Sequence, residues 1–301
     1  MIRVCAGLIQ MPRLASASIK CNRVMKLALG LGLFFVMSTV LPAAEPEVVA
    51  FPSGTLTLHG VVYKPEGAGP FPALLYNHGC APGMLSKDAF DALGPFFASR
   101  GWVLFGPFRR GQGLSASAGP YIGDQIADAN KSGGMTSAAA TMVRLLETDH
   151  LKDQLAALAW LRKQDYVQAE HIAVAGTSFG GVEAVLGAEQ GSYCAAIDSA
   201  GGAQSWALAP QLQAVMIRAV RNSRVPIFLF QAANDYDLSP SNALSTEMKE
   251  AGKPYEIKIY PAYGKSADDG HAFGYFGSSV WGDDVIRFLS LYCAAADKHS
   301  H

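Results

Sequence analysis

The chain has 301 residues, of which half are hydrophobic and only 16% are charged. This length and composition predict one large globular domain with a sizeable core. The formal net charge is −1 at pH 7, and the body of the chain contains no basic run. A nucleic acid is therefore not expected as a partner.

The amino-terminal segment predicts a secretory signal peptide. An uncharged run of 15 residues, Leu27 to Leu41, follows Lys26 and ends in small residues. This arrangement is typical of a signal peptide, and the run is short for a membrane span, which needs about 20 apolar residues. We expect a signal peptide at about residues 25–44, a secreted or periplasmic protein, and no stable membrane span after cleavage. The start at Met1 or Met25 stays open, and an uncleaved anchor is the alternative.

Three of the five cysteines, Cys80, Cys194 and Cys293, lie beyond this segment. An odd number of cysteines does not indicate a disulfide framework, and the spacing does not decide whether two of them pair. No CxxC motif or cluster of histidine and cysteine predicts a metal site. We therefore expect neither a metal nor a cofactor.

Strand-like and helix-like stretches alternate along the rest of the chain. The runs EVVAF and LTLHGVVY, between Glu47 and Tyr63, predict an antiparallel hairpin. Further strands are predicted at residues 73–79, 102–108, 172–176, 195–198, 226–230 and 255–260. Helices are predicted at 88–99, at 153–162, after Ser178, before Gly252 and at 284–294. This alternation predicts a mostly parallel sheet with helices on both faces, in which active groups gather at the carboxyl ends of the strands.

Residues 111–150 differ from this pattern. They are rich in glycine, serine and alanine, and a helical period is visible only from Thr136 to Glu147. We interpret the segment as a loop or a small lid inserted into the domain.

The pentapeptide Gly176-Thr177-Ser178-Phe179-Gly180 stands where a predicted strand meets a predicted helix. It fits the G-x-S-x-G pattern of a nucleophile elbow in the structural context that this motif requires. Such a tight turn strains the backbone of the serine and requires small residues on both sides. The alternative is a glycine-rich turn with an incidental serine. We predict that Ser178 is a nucleophile.

A serine nucleophile needs a base, which follows it in the chain in this fold class. Three histidines follow Ser178, and two of them, His299 and His301, lie at the terminus, where chains fray. His271 remains, in a glycine-rich segment that follows the last predicted strand and that we predict to be a loop. The sequence therefore predicts His271 as the general base.

The acid that would hold the imidazole lies between the serine and the histidine, where ten carboxylates occur. Asp235 is favoured because it follows the apolar strand at 226–230, at the correct end of the sheet. Asp237, two residues later, and Asp198, one strand earlier, are the alternatives.

An oxyanion hole needs two N–H donors. One is expected from Phe179, the residue after the nucleophile, and the other from Cys80, in the loop after the strand at 73–79. Cys80 is also a candidate second nucleophile, although no partner base is evident. His78 is interpreted as a structural residue of this loop, and Arg109 as either structural or a binder of a substrate carboxylate, like its neighbour Arg110.

These motifs together resemble the α/β-hydrolase superfamily, in particular its dienelactone-hydrolase-like and prolyl-oligopeptidase-like branch. The resemblance covers roughly residues 48–292 and is carried by LLYNHGC, FRRGQGLS, HIAVAGTSFGG, FQAANDYDLSP and DDGHAF. It implies an α/β-hydrolase domain at 45–301 behind an amino-terminal extension and signal peptide at 1–44. In relatives, a short segment ending in proline follows the acid, as Pro240 follows Asp235 here.

The resemblance also implies acyl transfer to water. Dienelactone hydrolases use a cysteine nucleophile, whereas this chain has Ser178, which favours ordinary ester hydrolysis. The expected partner is a small-molecule ester or a short peptide. The alternatives are a secreted serine peptidase acting on short peptides and a non-catalytic binding protein of the same fold.

Overall fold

An eight-stranded sheet forms the frame of the molecule in the computed structural model, which describes residues 45–80 and 88–293. The predicted signal peptide and both candidate start residues lie outside the described residues. The strands are β1 (Glu47–Ser53), β2 (Leu56–Tyr63), β3 (Phe71–Asn77), β4 (Val103–Pro107), β5 (Val167–Thr177), β6 (Ala196–Ser199), β7 (Ile227–Ala232) and β8 (Tyr255–Tyr260).

The strands lie in the order β1-β2-β4-β3-β5-β6-β7-β8. β2 pairs in antiparallel fashion with β1 and β4, and all other neighbours are parallel. The predicted mostly parallel sheet with an antiparallel amino-terminal hairpin is therefore confirmed. The order places β5 in the middle, so the residues that follow it have neighbouring loops on both sides.

Helices cover both faces of this sheet. They are α1 (Asp88–Ala98), α2 (Ile122–Leu145), α3 (Leu151–Leu161), α4 (Phe179–Gln190), α5 (Pro210–Asn222), α6 (Ser239–Glu250), α7 (Ala267–His271), α8 (Phe273–Phe276) and α9 (Ser278–Cys293). Short 3₁₀ turns lie at Gly113–Ala118 and Trp206–Leu208, and a π-helical turn lies at Leu146–His150.

Each face of the sheet has its own hydrophobic core. Along β3, Leu75 packs into the core beneath helices α2 to α6, while Leu74 packs into the core beneath α1, α8 and α9. Successive side chains of a strand point to opposite faces, so a central strand must be apolar throughout. All six residues of β7 are buried for this reason.

The segment interpreted as a loop or small lid, 111–150, is largely helical. α2 runs from Ile122 to Leu145, with a break at Gly134, where φ is 68°, and continues through the π-helical turn into α3. Many of its small residues are exposed, which explains why the hydrophobic period of the sequence indicated only its second half.

A disulfide joins Cys194, just before β6, to Cys293 at the end of α9. One of the pairings that the sequence left open is thereby assigned. Within the described residues, no helix has the length and apolar character needed to cross a membrane.

Candidate active site

Ser178 occupies a sharp turn between β5 and α4. Its φ of 62° and ψ of −121° are unusual for a residue with a side chain, and its N–H donates to the Ser199 carbonyl across 2.9 Å. A Cβ at Gly176 would overlap the carbonyl of Gly180, and a Cβ at Gly180 would overlap the carbonyl of Asn77. The turn therefore requires glycine at both flanking positions, as the G-x-S-x-G pattern indicated.

Asp235 and His271 lie 36 positions apart in the chain and are brought together by the fold. Asp235 follows β7, and its Oδ1 lies 2.8 Å from Nδ1 of His271, the last residue of α7. The Asp235 side chain is fully buried, and that of His271 is 14% exposed. A buried carboxylate against Nδ1 favours the tautomer whose Nε2 can accept a proton.

The Asp235 carboxylate is fixed by further hydrogen bonds. The N–H of Tyr236 donates to Oδ1 across 2.7 Å, and Nε2 of Gln231 donates to Oδ2 across 2.8 Å. Ser241 donates in turn to the Gln231 side-chain oxygen, which fixes the orientation of that amide. Gln231 was not singled out from the sequence, although a glutamine at the end of an otherwise apolar strand is a usable signal.

The two alternative acids have other partners. The Asp237 carboxylate accepts from the N–H of Ser239, as expected for a turn at the start of α6. Asp198 is buried and accepts from the N–H of Gly201 across 2.8 Å, and burial raises the pKa of its carboxyl to about 7. Neither carboxylate is hydrogen-bonded to His271, so the geometry favours Asp235.

The second ring nitrogen of His271, Nε2, is buried and has no hydrogen-bond partner within the part of the chain that the structure describes. Ser178 is half-buried, and its Oγ likewise has no hydrogen bond to a described residue. In enzymes without substrate, the hydrogen bond between nucleophile and base is often long and shortens only in the complex.

The segment that carries His271 is a short capped helix rather than the loop that the sequence predicted. Ser266 and Asp269 form a capping box at its start. Asn234, beside the acid, donates to the carbonyls of Tyr263 and Ser266 across 2.8 and 2.7 Å. Asn234 therefore ties the segment of the base to that of the acid.

The loop after β3 lies against the nucleophile. A Cβ at Gly79 would be 3.4 Å from Cβ of Ser178, and the Gly79 N–H donates to the hydroxyl of Tyr275 across 2.6 Å. Cys80 is buried in the same loop. Next to Ser178 in the chain, Phe179 opens α4, and its amide has no acceptor among the described residues.

His78 is a buried structural residue, as the sequence indicated. Its Nδ1 lies 2.7 Å from the Gly79 carbonyl oxygen, and its Nε2 faces the N–H of Arg109 at 3.4 Å. Burial and the nearby guanidinium lower the pKa of His78 well below its usual value. The ring is therefore neutral at pH 7, with Nδ1 as the donor.

Both arginines at the end of β4 are engaged by protein groups. Arg109 forms an ion pair of 2.6 Å with Glu183, and these side chains are 4% and 3% exposed. Arg110 pairs with Asp153 at 2.7 Å and with Asp149 at 3.0 Å. These contacts favour the structural interpretation of both residues over the binding of a substrate carboxylate.

No group of three or more histidine, cysteine, aspartate or glutamate side chains is arranged to hold a metal ion in residues 45–80 and 88–293. The groups that the described part of the site offers include a serine hydroxyl, an imidazole and backbone amides.

Comparison with known sequences identifies the family of the chain. A sequence model of the dienelactone hydrolase family matches residues 58–285. The chain belongs to the dienelactone hydrolase family. In this member of the family, the residue at the nucleophile elbow is Ser178. No curated protein matches the sequence significantly.

Solved structures confirm the α/β-hydrolase fold of this dienelactone hydrolase family member. An acylaminoacyl peptidase from Pyrococcus horikoshii superposes with a TM-score of 0.64 at 19% identity, covering 87% of this chain and 44% of that one. An esterase from Pyrococcus furiosus superposes with 0.60 at 14% identity, covering 83% and 94%. Dipeptidyl peptidase 4 from Porphyromonas gingivalis gives 0.60 at 18%, covering 83% and 36%.

The chain spans less than half the length of the acylaminoacyl peptidase and of the dipeptidyl peptidase. Similarity at these identities shows the fold, and one fold hosts many activities. Together, the family and these structures show that the chain has the α/β-hydrolase fold.

Proposed function

We propose that this protein is a serine hydrolase that cleaves carboxylic esters through an acyl-enzyme intermediate. Ser178 is the nucleophile, His271 the general base and Asp235 the residue that orients the base. The observations that support this most are the 2.8 Å contact between Asp235 and His271 and the φ of 62° at Ser178 in the turn between β5 and α4. A buried acid, a histidine and a strained serine are the parts that acyl transfer requires.

The proposed reaction runs in two steps. Nε2 of His271 takes the proton of Ser178 Oγ as the oxygen attacks the carbonyl carbon, and then gives that proton to the leaving alcohol. Water then attacks the acyl-enzyme, with His271 again as the base. The N–H groups of Phe179 and Cys80 stabilise the oxyanion in both steps, and each such donor is worth about 3–4 kcal/mol.

A peptidase acting on short peptides is the second candidate. The resemblance to an acylaminoacyl peptidase and a dipeptidyl peptidase favours it, and the proposed machinery would be the same. The two candidates differ only in the leaving group, so kinetics must separate them.

The test is hydrolysis of p-nitrophenyl esters of increasing acyl length, beside aminoacyl and dipeptidyl amides, by the wild type and Ser178→Ala. We expect ester turnover that the variant loses, with little amide turnover. Comparable rates on amides would assign the protein to the peptidases. Equal activity in wild type and variant would refute Ser178 as the nucleophile.

A fluorophosphonate probe tests the non-catalytic alternative. The folded wild type should become labelled at Ser178, which peptide mass analysis would locate, and Ser178→Ala should not. Absence of label on the folded wild type would favour a binding protein of the same fold.

We further propose that the protein acts in an oxidising compartment, secreted or periplasmic, after removal of a signal peptide. The Cys194–Cys293 disulfide supports this, because such bonds persist in oxidising environments and are rare in the cytosol. Fractionation of the producing cell and amino-terminal sequencing should place the mature start near residue 44 or 45. An intact Met1 or Met25 in a cytosolic fraction would contradict it.

A further inference from the structure

Three consecutive carbonyl groups of the loop after β3 accept hydrogen bonds from side chains that are buried or, for Tyr121, partly buried. Arg109 Nη2 donates to the His78 carbonyl. Arg109 Nη1 donates to the Gly79 carbonyl across 3.3 Å, and His78 Nδ1 reaches the same oxygen at 2.7 Å. The hydroxyl of Tyr121 donates to the Cys80 carbonyl. This loop therefore has its carbonyl oxygens fixed from one side.

Fixing a carbonyl also fixes the amide in the same peptide unit, because C=O and N–H point in opposite directions across a trans peptide. The first unit shows the effect, since Arg109 holds the His78 carbonyl and the Gly79 N–H points to Tyr275. In the next unit Arg109 Nη1 and His78 Nδ1 both hold the Gly79 carbonyl, which directs the Cys80 N–H away from these two side chains. The loop backbone at Gly79 lies against Ser178, so this orientation matters for the nucleophile.

Arg109 can do this because its charge is compensated inside the protein. Glu183 lies on α4, the helix that Ser178 opens, and its Oε2 is 2.6 Å from Arg109 Nη2. A buried guanidinium without such a partner would be strongly destabilising. The Gln112 side-chain oxygen accepts another Arg109 hydrogen bond, across 3.2 Å. Arginine suits this place because its planar fork serves several acceptors at once, which the ammonium group of lysine cannot reproduce.

We propose that Arg109 is a positioning residue that orients and polarises the Gly79–Cys80 peptide for stabilisation of the oxyanion, with Glu183 holding the guanidinium in place. The inference rests on the proposed serine-hydrolase function. A hydrogen bond from a cation to the carbonyl of a peptide strengthens the N–H of that peptide as a donor. Through Glu183, the same contact ties the oxyanion loop to the helix that begins at the nucleophile.

The test compares Arg109→Lys with Arg110→Lys. Arg110 also follows β4, but it pairs with Asp149 and Asp153, and it donates to no carbonyl in the described part of the loop, which ends at Cys80. We expect Arg109→Lys to lower kcat for p-nitrophenyl esters about 10- to 100-fold, which is less than the roughly 10²- to 10³-fold effect of losing an oxyanion donor outright. KM and the pH profile should stay within about 3-fold and 0.3 unit of wild type. Arg110→Lys should keep the wild-type kcat.

A trifluoromethyl ketone gives an independent readout, because its adduct with a serine carries an oxyanion. Its affinity should fall in Arg109→Lys by about the same factor as kcat. A merely structural role would lower the folded fraction and leave the ketone affinity of the remaining folded enzyme unchanged. That result, or equal kinetics in the two lysine variants, would overturn the proposal.

A charge-free pair, Arg109→Met with Glu183→Leu, keeps the test decisive if Arg109→Lys does not fold. Replacing both members of a buried ion pair by apolar residues is often neutral or stabilising. We expect this double variant to fold and to retain the kcat loss. Wild-type kcat in the folded double variant would overturn the role of Arg109. Absence of all turnover in the wild type would instead refute the proposed function, so the two failures are distinguishable.

Discussion

The single hydrogen bond between Asp235 and His271 carries much of the proposed chemistry. The buried Asp235 carboxylate accepts from Tyr236 N–H and Gln231 Nε2, so its orientation toward the imidazole is fixed before substrate arrives. A carboxylate in this position stabilises the imidazolium that forms during attack. The two neighbouring acids therefore have different roles: Asp235 contacts His271, whereas Asp237 accepts a hydrogen bond in the turn at the start of α6.

We expect Asp235→Asn to lower kcat by about 10³- to 10⁴-fold, because an amide cannot stabilise the imidazolium and can favour the wrong tautomer. Asp237→Asn is the matched control, since it makes the same chemical change two residues away and should keep kcat within a few-fold. Ester kinetics on both folded variants decide the matter. The opposite ranking would move the acid to Asp237.

His150 gives a prediction about pH and stability. It is buried in the π-helical turn before α3, and neither ring nitrogen has a hydrogen-bond partner in the described part of the chain. Burial and the charges of Arg109 and Arg110 lower its pKa well below the usual value. The unfolded chain takes up a proton near pH 6.5 that the folded protein excludes, so stability falls as the pH drops below that value.

The expected size of this pH effect on the free energy of unfolding follows from the difference in proton binding between the folded and unfolded chain. Between pH 7.5 and 5.5, the wild type should lose on the order of 1 kcal/mol more free energy of unfolding than His150→Gln, which cannot titrate. Only the difference between the wild type and His150→Gln is diagnostic, because other groups also change stability with pH. The lowered pKa of the buried His78 likewise reduces stability at low pH, whereas the raised pKa of Asp198 increases it. Urea unfolding at both pH values measures it. Parallel pH dependence in the two proteins would contradict a neutral buried His150.

At the scale of elements, the candidate site residues could be predicted where a sequence motif coincides with the end of a predicted strand. The elbow at Ser178 combines a local pattern with the end of an apolar strand, and the acid and base follow β7 and β8. Parallel strands bring such ends to one edge of the sheet, so the order of the elements predicts the neighbourhood. This edge left three candidate acids, and the structure adds that Asp235 is the one hydrogen-bonded to His271.

The supporting contacts were not predictable, because they join distant segments through side chains. Arg109 and Glu183 are 74 residues apart, and only the presence of a charge within the otherwise apolar start of α4 hints at a buried partner. The first half of α2 was not predicted, for another reason. Its apolar residues form no clear stripe, so the periodic signal on which helix prediction depends is weak.

Gly180, the second glycine of the elbow, provides a test at the scale of elements. Gly180→Ala would drive a Cβ into the Asn77 carbonyl of the central strand β3, which cannot move aside cheaply. We expect a loss above about 4 kcal/mol, seen as failure to fold or a collapse of the melting temperature. Gly119→Ala is the control, because its Cβ would meet only the Arg110 side chain at 3.5 Å. Wild-type melting of Gly180→Ala would show that the elbow tolerates a side chain.

At the scale of the whole molecule, the Cys194–Cys293 disulfide joins two segments that are distant in the chain, the one before β6 and the end of α9. Cys194 lies just before β6, at the amino end of the sheet, whereas Ser178 lies at the carboxyl end. The bond closes a loop of sequence separation 99, which restricts the unfolded chain. Its contribution should therefore appear in stability and not in catalysis.

We expect Cys194→Ala and Cys293→Ala each to lower the free energy of unfolding by about 2–4 kcal/mol, with kcat for esters unchanged. The double variant should lose no more than either single one, because each change already breaks the same bond, so the two effects are not additive. Urea unfolding without reductant, combined with ester kinetics, checks both parts. Additive losses would mean that the two side chains stabilise the fold through packing alone, and wild-type stability in all three variants would mean that the bond does not constrain the unfolded state.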